Sequence, residues 1–272
     1  MKYLKPITMI VLVLVATVLL YFIITHETQT NYIVENQTII SCETNAKKLL
    51  IPKIIDNMEI TTIGVKAFND NASIINLEIS EGISEIMDDA FYNCTSLRSI
   101  TLPKTLSSIS PVAFSKCASL VAIDVDPENR VYESLSGILF NKGRSTLQYF
   151  PIGFQRSEYY VPYGTMTIKE RAFLGSLLTK VYIPDTVTFI EAYAFADNKN
   201  MKNIVLPNNF VYLGEGAFSN NERLETITIG DNVGIGENVV GNNSFYEQYL
   251  LYGKGTYVKG QDNIWVRLDN AN

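Results

Sequence analysis

The sequence predicts an α/β solenoid, strand-rich with short helical turns, preceded by one transmembrane helix. Three observations predict this class. The dipeptide Ala-Phe recurs along the chain at a near-constant step. The positions around it repeat in the same register. Ahead of these repeats stands an unbroken uncharged run close to the N-terminus.

The repeat decides the architecture, because a fixed period of 20–50 residues is the mark of stacked units. Ala-Phe occurs at Ala67-Phe68, Ala90-Phe91, Ala113-Phe114, Ala172-Phe173, Ala194-Phe195 and Ala217-Phe218. The steps are 23, 23, 59, 22 and 23, and Val239-Val240 is a degenerate copy 22 residues further on. Ten residues before Ala stands Pro103, Pro162, Pro184 or Pro207, with Ser80 in one copy. Three positions later come Ile83, Leu106, Val187 and Phe210, with Thr165 as the exception. Three further on come Ile86, Ile109, Ile168, Ile190 and Leu213.

Each unit follows from simple rules. Ile100-Thr-Leu102 alternates as a strand with two residues inward. Pro103 ends that strand because it offers no backbone N–H. Ala-Phe reads as a short helical turn in which Ala permits close approach and Phe fills the core. One unit cannot bury its own apolar side, so stability is a sum over neighbours. The position four after Ala holds Asn71, Cys94, Cys117, Ser176, Asn198 and Asn221. These are small side chains able to bond buried backbone. Asn and Cys interchange at this rung, which favours packing over a redox or metal role for Cys94 and Cys117.

These residues resemble the BspA-type, or treponemal, leucine-rich repeat surface proteins. The segment from Leu97 through Ile100, Leu102, Pro103, Leu106, Ile109, Ala113-Phe114 and Cys117 to Leu120 matches that family's pattern almost throughout. The resemblance implies a leucine-rich-repeat solenoid. It also implies attachment at a cell surface. The anomalous interval holds an insertion at about 126–151, with two alternating runs flanking Asn141-Lys142-Gly143 as in a hairpin. The resemblance implies that this is a standard family element. Asp124, Asp126 and Glu128 within it lack the later Glu and the Gly of a calcium loop, so a solvated turn is favoured.

The expected organisation is a cytoplasmic stub and anchor at 1–27, a linker and N-terminal cap at 28–52, repeats at 53–240, and a C-terminal cap at 241–272. The run from Ile7 to Thr25 shows no polar face and would span roughly 28 Å as a helix. Lys2 and Lys5 precede it, so a single-pass anchor with the repeats outside the cell is expected. Secretion after signal cleavage is the alternative, though no small-x-small site follows the run.

Composition bounds the function. Residues 1–26 hold Lys2 and Lys5 and no acid, leaving 20 of the 22 basic residues against 28 acidic ones. That sign opposes nucleic acid as a partner. His26 is the only histidine, so a folded site has no histidine base. No metal-ligand cluster, phosphate loop or nucleophile elbow is present, and no cofactor or catalytic residue is assigned. Gly214-Glu215-Gly216 falls inside the repeat register.

Binding is expected at the outward strand positions. One row reads Leu50, Glu78, Thr101, Asp124, Tyr160, Tyr182, Val205 and Thr228. Its neighbour reads Lys48, Asn76, Ser99, Ala122, Glu158, Lys180, Asn203 and Thr226. Tyr160, Tyr182 and Val205 beside Lys180 combine aromatic area with a cation, as interface hot spots do. The competing reading is that Tyr and Val simply favour strands. The expected partner is a protein or a glycan. A role in assembling the cell envelope is the second expectation, and an unrecognised hydrolase the third.

Overall fold

In the computed structural model, residues 28–268 are described. Each repeat forms one coil with three sides. The first side is a strand of a parallel sheet, the second a two-residue strand of another parallel sheet, and the third the Ala-Phe turn.

On the first side, Lys48–Ile51, Asn76–Ile79, Ser99–Leu102 and Ala122–Val125 pair in parallel. Glu158–Tyr160 pairs with Lys180–Tyr182, and Asn203–Val205 with Thr226–Ile229. The register follows the repeat, with Leu49 opposite Leu77, Leu77 opposite Ile100, and Ile100 opposite Ile123. All four side chains are buried, because alternate residues of a strand share one face. On the second side, Ile63, Ile86, Ile168, Ile190 and Leu213 are buried in the same manner.

The Phe column lies between the sheets. Phe68, Phe91 and Phe114 stack at centroid spacings of 5.0 and 5.6 Å. Phe150, Phe173, Phe195 and Phe218 stack at 4.7, 4.7 and 5.6 Å. Every ring in the column is at most 1% exposed. Offset stacking at such distances adds about 0.5–1.5 kcal/mol per pair beyond area burial.

The rung residues bond backbone one coil back. The thiols of Cys94 and Cys117 donate to the carbonyls of Phe68 and Phe91 at 3.1 and 3.0 Å. The Asn221 amide donates to the Phe195 carbonyl at 3.0 Å, and the Asn71 amide to that of Thr44. Asn198 departs from this pattern. Its Oδ1 accepts from the Ser176 hydroxyl at 2.5 Å, and its Nδ2 has no partner among the described residues.

Two features of the expected class are corrected. The Ala-Phe segments are successive turns, not helical turns, so the described chain is a strand-rich β-solenoid. The reason is a left-handed residue after every dipeptide and, in all copies but that at Ala113, another before it. Lys66, Asp89, Arg171, Tyr193 and Gly216 precede Ala with φ between 55° and 58°. Asp70, Asn93, Lys116, Gly175, Asp197 and Asn220 follow three after Ala with φ between 56° and 69°. Right-handed helix cannot run through either position. Secondly, no helix among the described residues is long and apolar enough to cross a membrane. The run at 7–25 that motivated a transmembrane helix lies outside the described residues. The helix that is present, α1 (Ser244–Tyr252), spans nine residues and packs Phe245 and Tyr249 into the end of the core.

The long interval holds one coil carrying an arm. Tyr132–Leu135, Ile138–Asn141 and Thr146–Tyr149 form an antiparallel meander. Its first turn, Ser136-Gly137, has φ of 53° and 80°, a left-handed pair that matches strand twist. Leu139 faces the N-terminal core, while Ile138 and Phe140 face the C-terminal core. The arm therefore divides the apolar interior in two. Asp126 Oδ1 caps the Glu128 N–H at 2.7 Å, as in a solvated turn. Asn129, 1% exposed, donates to the carbonyls of Pro103 and Leu106.

At the N-terminal end the hairpin of Thr30–Glu35 and Thr38–Thr44 lies over the first coil, with Thr38-Ile39 opposite Thr62-Ile63. At the other end Gly255–Lys259 runs antiparallel to Thr226–Ile229 and pairs with Trp265–Arg267. Trp265 is 2% exposed against Phe245.

Replacing Phe195 by Ala should cost about 3–5 kcal/mol in urea unfolding, as for other buried aromatic truncations. Replacing Phe189, which is 41% exposed, should cost far less. The thiols of Cys42 and Cys117 make a second prediction. Burial, then Glu43, pushes the Cys42 thiol up to about 12 from its ordinary 9.0. The Cys94 thiol beside it, then burial, pushes Cys117 up further. The folded state thus favours neutral thiols. This contribution is complete below pH 9 and is lost as pH climbs towards 12. Urea midpoints should fall from pH 8 to pH 10.5, and fall less in Cys42→Ala.

Candidate binding surface

The surface opposite the Phe column is the outward face of the first sheet. Period-two alternation places every second strand residue there. Leu50, Glu78, Thr101 and Asp124 stand directly opposite one another along four coils. The arm interrupts this row, and hydrogen-bonded pairing restarts at Glu158–Tyr160.

The restart brings the candidate residues together. Tyr160 pairs with Tyr182, and Glu158 with Lys180. The two phenol rings lie 4.1 Å apart between centroids and 3° from parallel. Lys180 Nζ sits 4.4 Å from the Tyr182 centroid, in cation–π range. The Tyr182 hydroxyl donates to Glu158 Oε2 at 3.3 Å. Tyr160 is 65% exposed and Val205 62% exposed. An open groove of about 420 Å³ runs beside Tyr182 towards Val205, with Asp185, Asn203 and Thr228 in its walls.

Two members of the cluster are held above their ordinary values by a neighbour. The Tyr182 hydroxyl beside it holds the Tyr160 phenol above its ordinary value. Tyr182 likewise holds the Lys180 ammonium above its ordinary value. The patch therefore offers a neutral Tyr160 phenol and a Lys180 cation across the physiological range.

Glu158 and Asn203, both on the expected outward row but not picked out there, complete the cluster with the groove residue Asp185, which neither outward row contained. Glu158 was legible as the row neighbour of Lys180. Asp185 was not, because it follows the strand in a turn whose direction no periodicity encodes. Among the described residues, no group of three or more His, Cys, Asp or Glu side chains is placed to hold a metal ion.

A model of the BspA-type leucine-rich repeat region matches residues 61–145 and 153–251, in six copies. The chain belongs to the BspA-type leucine-rich-repeat family. No curated protein matches the chain. Among solved structures, a leucine-rich repeat protein from Eubacterium ventriosum is 21% identical, with a TM-score of 0.51. The match covers 67% of this chain and 60% of the other, so this chain spans less than two thirds of that protein. The leucine-rich repeat protein of Treponema pallidum is 24% identical over 78% of this chain and 84% of its own, with a TM-score of 0.42. The pneumococcal vaccine antigen PcpA is 17% identical over the same shares, with a TM-score of 0.43. These likenesses concern the fold.

Proposed function

We propose that this BspA-type repeat chain is a recognition module that binds a protein or glycan partner at a cell surface through its outward sheet face. The binding patch is Tyr160, Tyr182, Lys180 and Val205. The observation that carries this reading is the exposed, parallel pair of phenol rings at 4.1 Å with a cation beside it. Strand propensity explains why Tyr occupies strand positions. It does not explain a solvent-facing stack whose members are also tied to Lys180 and Glu158.

The physics favours binding. Ordering a side chain at an interface costs about 0.5–1.5 kcal/mol. Rings already held by the coil register have less freedom to lose. Tyr is enriched at protein interfaces and among their hot spots. Attachment of one cell to another, or to matrix, is the role this surface would serve.

The test is a pull-down with the full chain against extracellular-matrix extract and against envelope extract. The double variant Tyr160→Ser, Tyr182→Ser should lose at least about tenfold in capture, with an unchanged melting temperature. Undiminished capture by that variant would overturn the site.

A further inference from the structure

The turn side of the solenoid carries a feature that the sheet face does not explain. Two series of backbone hydrogen bonds run along it from coil to coil. In the first, the column Phe donates to the carbonyl at the Ala position of the next coil, as Phe91 to Ala113 at 2.9 Å and Phe173 to Ala194 at 2.8 Å, with Phe114 the exception. In the second, the residue two after Phe donates forward, as Asp70 to Tyr92, Asn93 to Ser115, Gly175 to Ala196 and Asp197 to Ser219. The second series also ends at Asn220, beside the C-terminal cap.

Both series stop in mid-solenoid, at the coil that carries the arm. Phe114 and Lys116 donate to no backbone carbonyl among the described residues. On the far side, the Leu174 carbonyl receives no backbone donor among the described residues. The intervening coil carries Tyr149 edge-on and Phe150 stacked into the column, and its turn is shortened to Ile152-Gly153. The result is a cleft of about 760 Å³, floored by Tyr149 and Ile152 and walled by Lys116 on one side and Leu174 and Leu177 on the other. Its walls stand two coils apart, which at strand spacing is about 10 Å. That width admits one extended chain.

We propose that this cleft binds an extended, acidic-aliphatic peptide segment of a partner protein, which fills the missing rung. The segment's carbonyl accepts from the Lys116 N–H, and its own N–H donates to the Leu174 carbonyl. Such pairing is the basis of recognition by strand addition. An aliphatic side chain rests on Tyr149, Ile152 and the exposed Leu177. The charge selects an acid. Lys116, Arg171 and Lys199 line the cleft against Asp89 and Asp197, in a chain where acids outnumber bases 28 to 22. Arg171 and Lys199 already meet Glu170 and Glu222. Lys116 makes no ion pair among the described residues, and its ammonium rests 4.9 Å from the Tyr92 ring centroid. It is the cation left for an incoming carboxylate.

The test uses the full chain and three panels of capped, fluorescent hexapeptides read by anisotropy. One panel alternates acidic with aliphatic residues, one alternates Lys with aliphatic residues, and one is neutral and polar. The acidic-aliphatic panel should bind saturably and the others at least about tenfold more weakly. N-methylation of the central amides should weaken binding about tenfold, through loss of the backbone pairing. Lys116→Glu and Leu177→Asp, both at exposed positions, should each weaken it with unchanged melting temperature, while Tyr160→Ser, Tyr182→Ser should leave it intact. Absence of binding by the acidic-aliphatic panel would overturn the proposal. So would indifference to N-methylation and to both cleft substitutions, or loss of binding in the tyrosine variant.

Discussion

Everything in this molecule depends on a coil burying its apolar side against the next coil. No single unit of about 23 residues has a closed core. Its Phe is covered above and below by aromatic rings of its neighbours, and at Asn71, Cys94, Cys117 and Asn221 the rung side chain bonds a carbonyl that the neighbour supplies. The strand register, the left-handed turns and the alternation of inward residues all serve that one contact. The ends must then be closed by different means. A hairpin covers the first coil, and α1 with Trp265 covers the last. The interior exposes nothing for chemistry, and what remains for function is the outside.

The arm is the one place where the stacking rule is kept in a different way. Tyr149 occupies the Ala position and Phe150 the Phe position of its coil. The rung position there is Gly153, which has no side chain to satisfy the Phe114 carbonyl. The Tyr149 hydroxyl does so instead, at 3.0 Å. Burial holds that phenol far above its ordinary value, so it stays a donor. The aromatic column is carried across the arm while the outer turn is shortened. The sheet face restarts at Tyr160, and the turn face opens at Lys116.

Much of this was legible in the sequence because it is periodic. The Ala-Phe step placed the column, the alternation of Ile100 and Leu102 placed the strands, and the Asn–Cys interchange marked the rung. The Tyr160–Tyr182 pair followed from register alone. Other features have no period and left no such trace. Tyr149-Phe150 lacks the Ala that marks its equivalents, so its membership in the column was hidden. Helical turns were expected at Ala-Phe because Ala and Phe suit them. The left-handed residues on either side, among them Arg171 and Tyr193, are set by contacts with the next coil and not by their own preferences. The first turn of the arm, at Ser136-Gly137, was overshadowed by the stronger signal at Asn141-Lys142-Gly143. The cleft is an absence within a ladder, visible only once the ladder is in place.

Coil-to-coil bonding is most directly tested by native-state hydrogen exchange on the full chain, resolved at single amides. The account predicts strong protection at the Phe91, Phe173 and Phe195 amides, each bonded to the next coil, and faster exchange at Lys116 where that bond is missing. Equal, weak protection at all four would show that the coils do not hold one another in this way.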